Sequence, residues 1–134
     1  MPHLVILYTP QLDAETDMAA LCRTLADTML ALHDEAGKQV FPTGGTRVLA
    51  YPAVHHAVAD SARDYAFAYL KLRMGRGRSE AVKQQAGDSL LAAAKAHLAP
   101  VFERRLLGVT LQIDEGAEVY DGKAGNIHPL FNKP

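Results

Sequence analysis

The sequence predicts an α+β fold in which two βαβ units form one four-stranded mixed sheet with two helices on one face. Three observations support this prediction: each half of the chain begins with a strand-like run, continues with an amphipathic helix, and returns to a second strand. A strand–helix–strand unit joins two parallel strands. We therefore expect a single domain over residues 1–134, with structurally similar halves at about 1–60 and 61–134.

The first predicted element is a strand within the first eight residues. The apolar run from Leu4 to Leu7 predicts a strand buried on both faces. Methionine aminopeptidases usually remove an initiator methionine that precedes a residue as small as proline, so the mature chain could begin at Pro2. The secondary amine of Pro2 could then exchange protons if its surroundings held its pKa near neutrality. The alternative is that Pro2 only starts the strand, a position that proline tolerates well.

A helix and a second strand complete the first half. Asp13 or Asp17 is expected to cap the helix, and Gly37 to end it. Its buried face is marked by apolar residues at spacings of three and four: Met18, Leu21, Leu25, Met29 and Leu32. A turn with paired glycines leads to a strand at 47–51, which Pro52 ends or confines to the edge of the sheet.

The second half contains the longest strand pattern in the chain. Residues 64–74 alternate between an aromatic and charged face and a face of small and aliphatic side chains. Ser79 is the expected N-cap of the second helix, which should end near Pro100 or shortly beyond it. Alternation at 107–114 predicts the fourth strand, and the residues from Glu115 onward read as a loop or extended arm.

Two helices on one face leave the opposite face of the sheet uncovered. That face would carry Tyr65, Phe67 and Tyr69, which are too apolar to remain in contact with water. A cyclic oligomer that packs these faces together solves the problem. We therefore expect a homo-oligomer.

Composition narrows the class of protein. The chain has 134 residues, of which 49% are hydrophobic and 22% charged, and its net charge is −1. Such a balance argues against a dedicated nucleic-acid-binding protein, and no apolar run reaches membrane-spanning length. The single Cys22 cannot form an internal disulfide, and no leader sequence is visible. We expect a cytoplasmic protein with neither nucleic acid nor membrane as a partner.

The turn at 75–79 is a candidate anion site. Glycines between a strand and a helix leave free N–H groups, and Arg76 and Arg78 add positive charge. Neither the Walker pattern nor the dinucleotide fingerprint is present, so carboxylate is favoured over phosphate. The alternative is a solvated turn whose arginines face water.

Arg47, at the start of the second strand, is a further candidate. If Arg47 and Arg78 approach the amine of Pro2, their charge lowers its pKa and also holds a dianionic substrate. The alternative for Arg47 is a structural salt bridge. The six histidines show no metal-ligand spacing and no Ser or Cys nucleophile motif is apparent, so we expect no metal and no covalent serine or cysteine chemistry.

Several of these residues together carry a resemblance to a known family. Pro2 with His3, the Phe41-Pro42 turn leading to Arg47, the block at 75–87 and the closing segment at 126–131 resemble the 5-carboxymethyl-2-hydroxymuconate isomerase family of the tautomerase superfamily. The block at 75–87, which contains Gly-Arg-Gly-Arg-Ser and Gln-Gln-Ala-Gly, is the most specific part of this resemblance.

The resemblance implies a tautomerase-like homotrimer and a cofactor-free isomerase of homoprotocatechuate (4-hydroxyphenylacetate) degradation. Pro2 would relay a proton from the 2-hydroxyl of a di- or tricarboxylate enol to a carbon. Arg47 and Arg78 match the carboxylate-binding arginines of the family, whereas Arg76 does not. Two alternatives remain: a related tautomerase acting on another enol or 2-hydroxydienoate, and a non-catalytic trimeric binding protein of the same fold.

Overall fold

The structure is a computed structural model that describes residues 2–131; Met1 and residues 132–134 lie outside the description. The predicted architecture is confirmed. Its elements are β1 (His3–Tyr8), α1 (Gln11–Glu15), α2 (Met18–Leu30), β2 (Arg47–Pro52), β3 (Tyr65–Met74), α3 (Glu80–Arg104) and β4 (Leu106–Glu115). Short 3₁₀ helices lie at Thr43–Gly45 and His128–Phe131.

The four strands form one mixed sheet in the order β2-β1-β3-β4. The pairs β1–β2 and β3–β4 are parallel, as the two βαβ units predicted, and β1 and β3 pair antiparallel. As a result β1 and β2 begin at the same end of the sheet at which β3 and β4 finish. We call this the proline end, because Pro2 immediately precedes β1 there.

Both long helices pack on one face of the sheet. Leu4 and Ile6 of β1 have no exposed surface, and the predicted stripe of α2 is buried against them. The expectation that β1 is buried on both faces is wrong for the chain alone: Leu7, on the opposite face, is 44% exposed. The reason is that α2 and α3 cover only the side of the sheet on which Leu4 and Ile6 lie.

The end of the first long helix differs from the prediction. α2 ends at Leu30 and not at Gly37. The carboxylate of Asp34 accepts hydrogen bonds from the backbone N–H groups of Ala36 and Lys38, both at 2.9 Å, and so holds a tight turn after the helix. Gly37 lies in that turn with a φ of +80°. This local competition between an Asp side chain and the helix is invisible in the spacing of apolar residues.

The other predicted boundaries agree with the structure. The backbone N–H of Ala20 donates to Asp17 at 3.0 Å, so Asp17 caps α2. Ser79 caps α3 in the same way, accepting from the N–H of Val82 at 3.2 Å. α3 continues one turn beyond the exposed Pro100, and Pro52 closes β2 on the edge of the sheet.

The uncovered face of the sheet is present as predicted. Four of its large apolar side chains are among the most exposed of the strands: Leu7, Leu49, Tyr51 and Leu106. We call this surface the open face. Within residues 2–131, no helix is long and apolar enough to cross a lipid bilayer.

Candidate active site

The three residues predicted from the sequence all lie at the proline end. Pro2 is buried immediately before β1, Arg47 is the first residue of β2, and Arg78 lies in the turn between β3 and α3. The strand register pairs His3 with Arg47 on one side and with Arg73 on the other. Parallel pairing within each half and antiparallel pairing between the halves therefore bring distant parts of the sequence to one end of the sheet.

Arg47 faces a cavity of about 560 Å³ at this end. His3 and Arg73 line the same cavity from β1 and β3, and residues between Glu118 and Pro129 form its remaining wall. The Nη1 group of Arg47 donates to the backbone oxygen of Gly45 at 3.1 Å, which ties the guanidinium to the turn before β2.

The guanidinium of Arg78 is fixed in place by contacts with other groups of the chain. Its Nη1 group donates to the backbone oxygen of Gly75 at 3.0 Å and its Nη2 group to that of Val40 at 3.1 Å. The guanidinium also lies over the ring of Phe41, 5.0 Å from its centroid. Burial lowers the pKa of Arg78 from its usual value, and the nearby Glu115 opposes that shift. A fully solvated turn is thus wrong for Arg78, whereas Arg76 is exposed.

The two arginines lie at the same end of the sheet but line different cavities. Arg78 lines a cavity of about 470 Å³ that also contains Asp34, Lys38 and Ser79. Arg47 does not line that cavity, and Arg78 does not line the one that contains Arg47. Within residues 2–131, the chain alone therefore assembles the predicted residues at one end without enclosing them in one cavity.

His3 has an environment that differs from that of an ordinary surface histidine. Partial removal of its ring from water and then the charge of Arg47 lower its pKa, whereas the carboxylate of Asp121 opposes the shift. A lowered pKa keeps the imidazole neutral at neutral pH. The ring beside Pro2 can consequently donate or accept a hydrogen bond without adding charge.

The carboxyl-terminal segment is a part of the site that sequence reasoning missed. Gly44 packs directly on the backbone of His128: a Cβ atom at Gly44 would lie 2.6 Å from the Cα atom of His128. The 3₁₀ helix His128–Phe131 is thereby fixed on the turn that precedes Arg47. The sequence contains two signals, the glycine pair in that turn and the resemblance of the segment at 126–131 to the family, but neither shows that the segment packs on the turn.

Arg73 is a second residue that sequence reasoning missed. The alternation of β3 placed it on the same face as Lys71, but only the pairing with β1 shows that it lies beside His3. Its Nη2 group is 3.8 Å from a carboxylate oxygen of Glu118. Within residues 2–131, no three His, Cys, Asp or Glu side chains are grouped so as to hold a metal ion.

Comparison with known proteins places these features in a family. A profile of the family described as 5-carboxymethyl-2-hydroxymuconate isomerase matches residues 2–131. The 5-carboxymethyl-2-hydroxymuconate Delta-isomerase of Escherichia coli is 31% identical over 131 residues, which is 98% of this chain and 99% of that protein.

Two solved structures support the same family assignment. One 5-carboxymethyl-2-hydroxymuconate delta-isomerase is 59% identical, with a TM-score of 0.96 over 100% of this chain and 95% of that chain. A 5-carboxymethyl-2-hydroxymuconate isomerase from Deinococcus radiodurans R1 is 38% identical, with a TM-score of 0.87 over 98% of this chain and 95% of that chain. The predicted tautomerase-like fold is confirmed. The chain belongs to the 5-carboxymethyl-2-hydroxymuconate isomerase family and is an isomerase.

Proposed function

We propose that this protein isomerises 5-carboxymethyl-2-hydroxymuconate, using Pro2 as the proton relay and Arg47 and Arg78 to bind carboxylates of the substrate. The observation that carries the proposal is the meeting of Pro2, the first residue of β2 and the turn after β3 at one end of the sheet. The family assignment and the names of the similar proteins support the choice of substrate.

The reaction needs a group that accepts and returns one proton. The O–H bond of the 2-hydroxyl group breaks as that oxygen becomes a carbonyl, the double bonds shift along the carbon chain, and a new C–H bond forms at the far carbon. One proton leaves oxygen and one arrives at carbon, so no electrons are gained or lost overall. A single amine is sufficient for both transfers.

The nitrogen of Pro2 can do this only as a free amine. Met1 lies outside the described residues, and its removal stays a prediction. Once freed, the amine lies at the end of the sheet that carries Arg47 and Arg78. Their positive charges favour the neutral form of the amine and lower its pKa, which makes it a base at neutral pH.

The two arginines supply binding and orientation. A guanidinium presents two parallel N–H groups to a carboxylate, which fixes the position of the acid as well as its charge. Arg78 is already oriented by Val40, Gly75 and Phe41, so little conformational entropy remains to be lost when a substrate binds.

The proposal includes a homotrimer and a catabolic role. The exposed apolar side chains of the open face need a partner surface, and a second and third copy of the chain supply the same surface in a closed assembly. A cofactor-free isomerase of this substrate class belongs in homoprotocatechuate (4-hydroxyphenylacetate) degradation.

The test is a direct assay of 5-carboxymethyl-2-hydroxymuconate isomerisation, combined with mass spectrometry of the purified chain. We expect a mass without Met1 and turnover without added cofactor. Pro2→Ala keeps a small residue at the start but replaces the secondary amine with a primary one. It should lower kcat by about 100-fold or more, the usual contribution of general acid–base catalysis. Pro10→Ala, beyond the opposite end of β1, is the control. Undiminished kcat in Pro2→Ala would contradict the proton relay.

A further inference from the structure

Three side chains with positive or potentially positive charge form a row across the proline end of the open face. Arg47, His3 and Arg73 lie on three adjacent strands and are paired directly in the register, so their side chains point to the same side of the sheet. All three line the cavity of about 560 Å³. We call this set the cationic row.

The two guanidiniums of the row lie on either side of the neutral His3 ring, on strands β2 and β3, which are about 10 Å apart by the usual spacing of strands. An anion between them interacts favourably with both positive charges. The chain supplies acidic partners from the segment after β4: Glu118 lies 3.8 Å from Arg73, and Asp121 acts on His3. Both members of the Arg73–Glu118 pair are nearly half exposed, so this contact is weak and open to competition.

We propose that Arg73 binds the third carboxylate of the substrate, beside the one held by Arg47 in the cationic row, and that it thereby selects a tricarboxylate over a dicarboxylate. The inference rests on the proposed function and deepens it. The substrate, a muconate with a carboxymethyl group, carries three carboxylates. Arg78 and Arg47 are the proposed ligands of two of them. Arg73 is a third arginine at the same end of the sheet, and it shares a cavity with Arg47.

Glu118 then competes with the substrate. In the chain alone its carboxylate lies against Arg73, where a substrate carboxylate would bind. Loss of the Arg73 guanidinium removes a group that binds the substrate carboxylate. Loss of the charge of Glu118 leaves Arg73 free to bind it. The two substitutions break the same ion pair, yet they change affinity in opposite directions. A purely structural role for the pair predicts the same direction for both.

The test measures binding and not turnover. Isothermal titration calorimetry of the full chain uses propane-1,2,3-tricarboxylate as the tricarboxylate probe and glutarate as the dicarboxylate probe. Arg73→Gln should weaken tricarboxylate binding about tenfold, the usual loss for one charge-assisted hydrogen bond, and glutarate binding much less. Glu118→Gln should tighten tricarboxylate binding.

The matched control is Lys71→Gln. Lys71 lies on the same strand and face, two residues further from the proline end, and is paired with Asp114 at 2.7 Å. It should leave the affinity for both probes unchanged. Equal weakening of both probes by Arg73→Gln, or weaker binding in Glu118→Gln, would overturn the inference. If Arg73→Gln does not fold, the affinity of Glu118→Gln for the tricarboxylate probe tests the inference: tighter binding supports it and weaker binding contradicts it.

The outcome is separable from that of the proposed function. A chain that binds the tricarboxylate through Arg73 but does not isomerise 5-carboxymethyl-2-hydroxymuconate disproves the proposed reaction. The proposed binding role of the cationic row then still holds. If the wild type isomerises the substrate and Arg73→Gln still prefers the tricarboxylate probe to glutarate as strongly as the wild type does, the role of Arg73 is disproved. The proposed reaction is not affected by that result.

Discussion

The guanidinium of Arg78 lies 5.0 Å from the centroid of the Phe41 ring, a side chain with no exposed surface. The same group donates hydrogen bonds to the backbone oxygens of Val40 and Gly75. Arg78 therefore joins the segment after α2 to the turn after β3. A residue proposed to bind substrate is here also a residue that holds two parts of the proline end together.

This double role predicts two effects of Arg78→Ala. We expect KM for a diacid substrate to rise about tenfold or more, since a carboxylate ligand is lost, with a smaller change in kcat. We also expect the free energy of unfolding to fall by about 2 kcal/mol, since a cation–π contact and two backbone hydrogen bonds disappear. Steady-state kinetics and urea unfolding measure the two effects.

Two further substitutions separate charge from geometry. Arg78→Lys keeps the positive charge but lacks the planar guanidinium that donates two parallel N–H groups to a carboxylate, so KM should lie between those of the wild type and Arg78→Ala. Arg76→Ala removes an exposed arginine of the same turn and should change neither quantity. An unchanged KM in Arg78→Ala would refute the binding role.

Periodic patterns predicted the parts of the fold that depend on burial. The stripe of α2 and the alternation of β3 were both read correctly, because each places apolar side chains on the face that packs in the core. The caps at Asp17 and Ser79 were also predicted, because their side chains accept from N–H groups close in the sequence.

The candidate site was predictable only in part. Pro2, Arg47 and Arg78 stand out in the sequence, and they do lie at one end of the sheet. The place of Arg73 beside His3 depends on the antiparallel pairing of β1 with β3, which joins residues far apart in the chain. The packing of His128 on Gly44 depends on the path of a segment without periodicity, so no pattern could reveal it.

The contact between Gly44 and His128 predicts that Gly44→Ala loosens the carboxyl-terminal segment. The added methyl group would overlap the backbone of His128, which cannot move aside as a flexible side chain could. We expect faster hydrogen exchange at 126–131 and a higher KM, since this segment lines the cavity that contains Arg47. Hydrogen exchange measured by mass spectrometry resolves the segment.

Gly125→Ala is the matched control for that substitution. A Cβ atom at Gly125 meets no atom within 4 Å, so the same chemical change should leave hydrogen exchange at 126–131 at its wild-type rate. Equal exchange rates at 126–131 in Gly44→Ala and the wild type would show that the segment is not held by this contact.

The cluster around Glu15 predicts a pH dependence of stability. Hydrogen bonds from Arg105 and Arg104 hold the pKa of Glu15 below its usual value of 4.5. A carboxylate whose pKa is lower in the folded state stabilises the protein above about pH 4.5, and this stabilisation is lost as the pH falls through the folded-state value. In Glu15→Gln, the free energy of unfolding should therefore depend less on pH below 4.5.

Urea unfolding at a series of pH values measures that slope. Glu103→Gln removes an exposed carboxylate near the end of the same helix that carries Arg104, and it should follow the wild-type curve. If Glu15→Gln and the wild type lose stability in parallel on acidification, the ion pairs with Arg104 and Arg105 do not stabilise the folded state.

The open face predicts that Leu49→Asp prevents assembly. Leu49 lies on the edge strand β2 and is 47% exposed in the chain alone. In the proposed homotrimer its side chain is buried against another copy, where an unpaired carboxylate costs several kcal/mol. We expect a monomer by light scattering at micromolar concentration, with the circular dichroism of a folded chain. Val54→Asp introduces the same charge at a residue that is 70% exposed in the connector after β2 and should leave the trimer intact. A monomeric wild type, or a trimeric Leu49→Asp, would show that the open face is not the assembly surface.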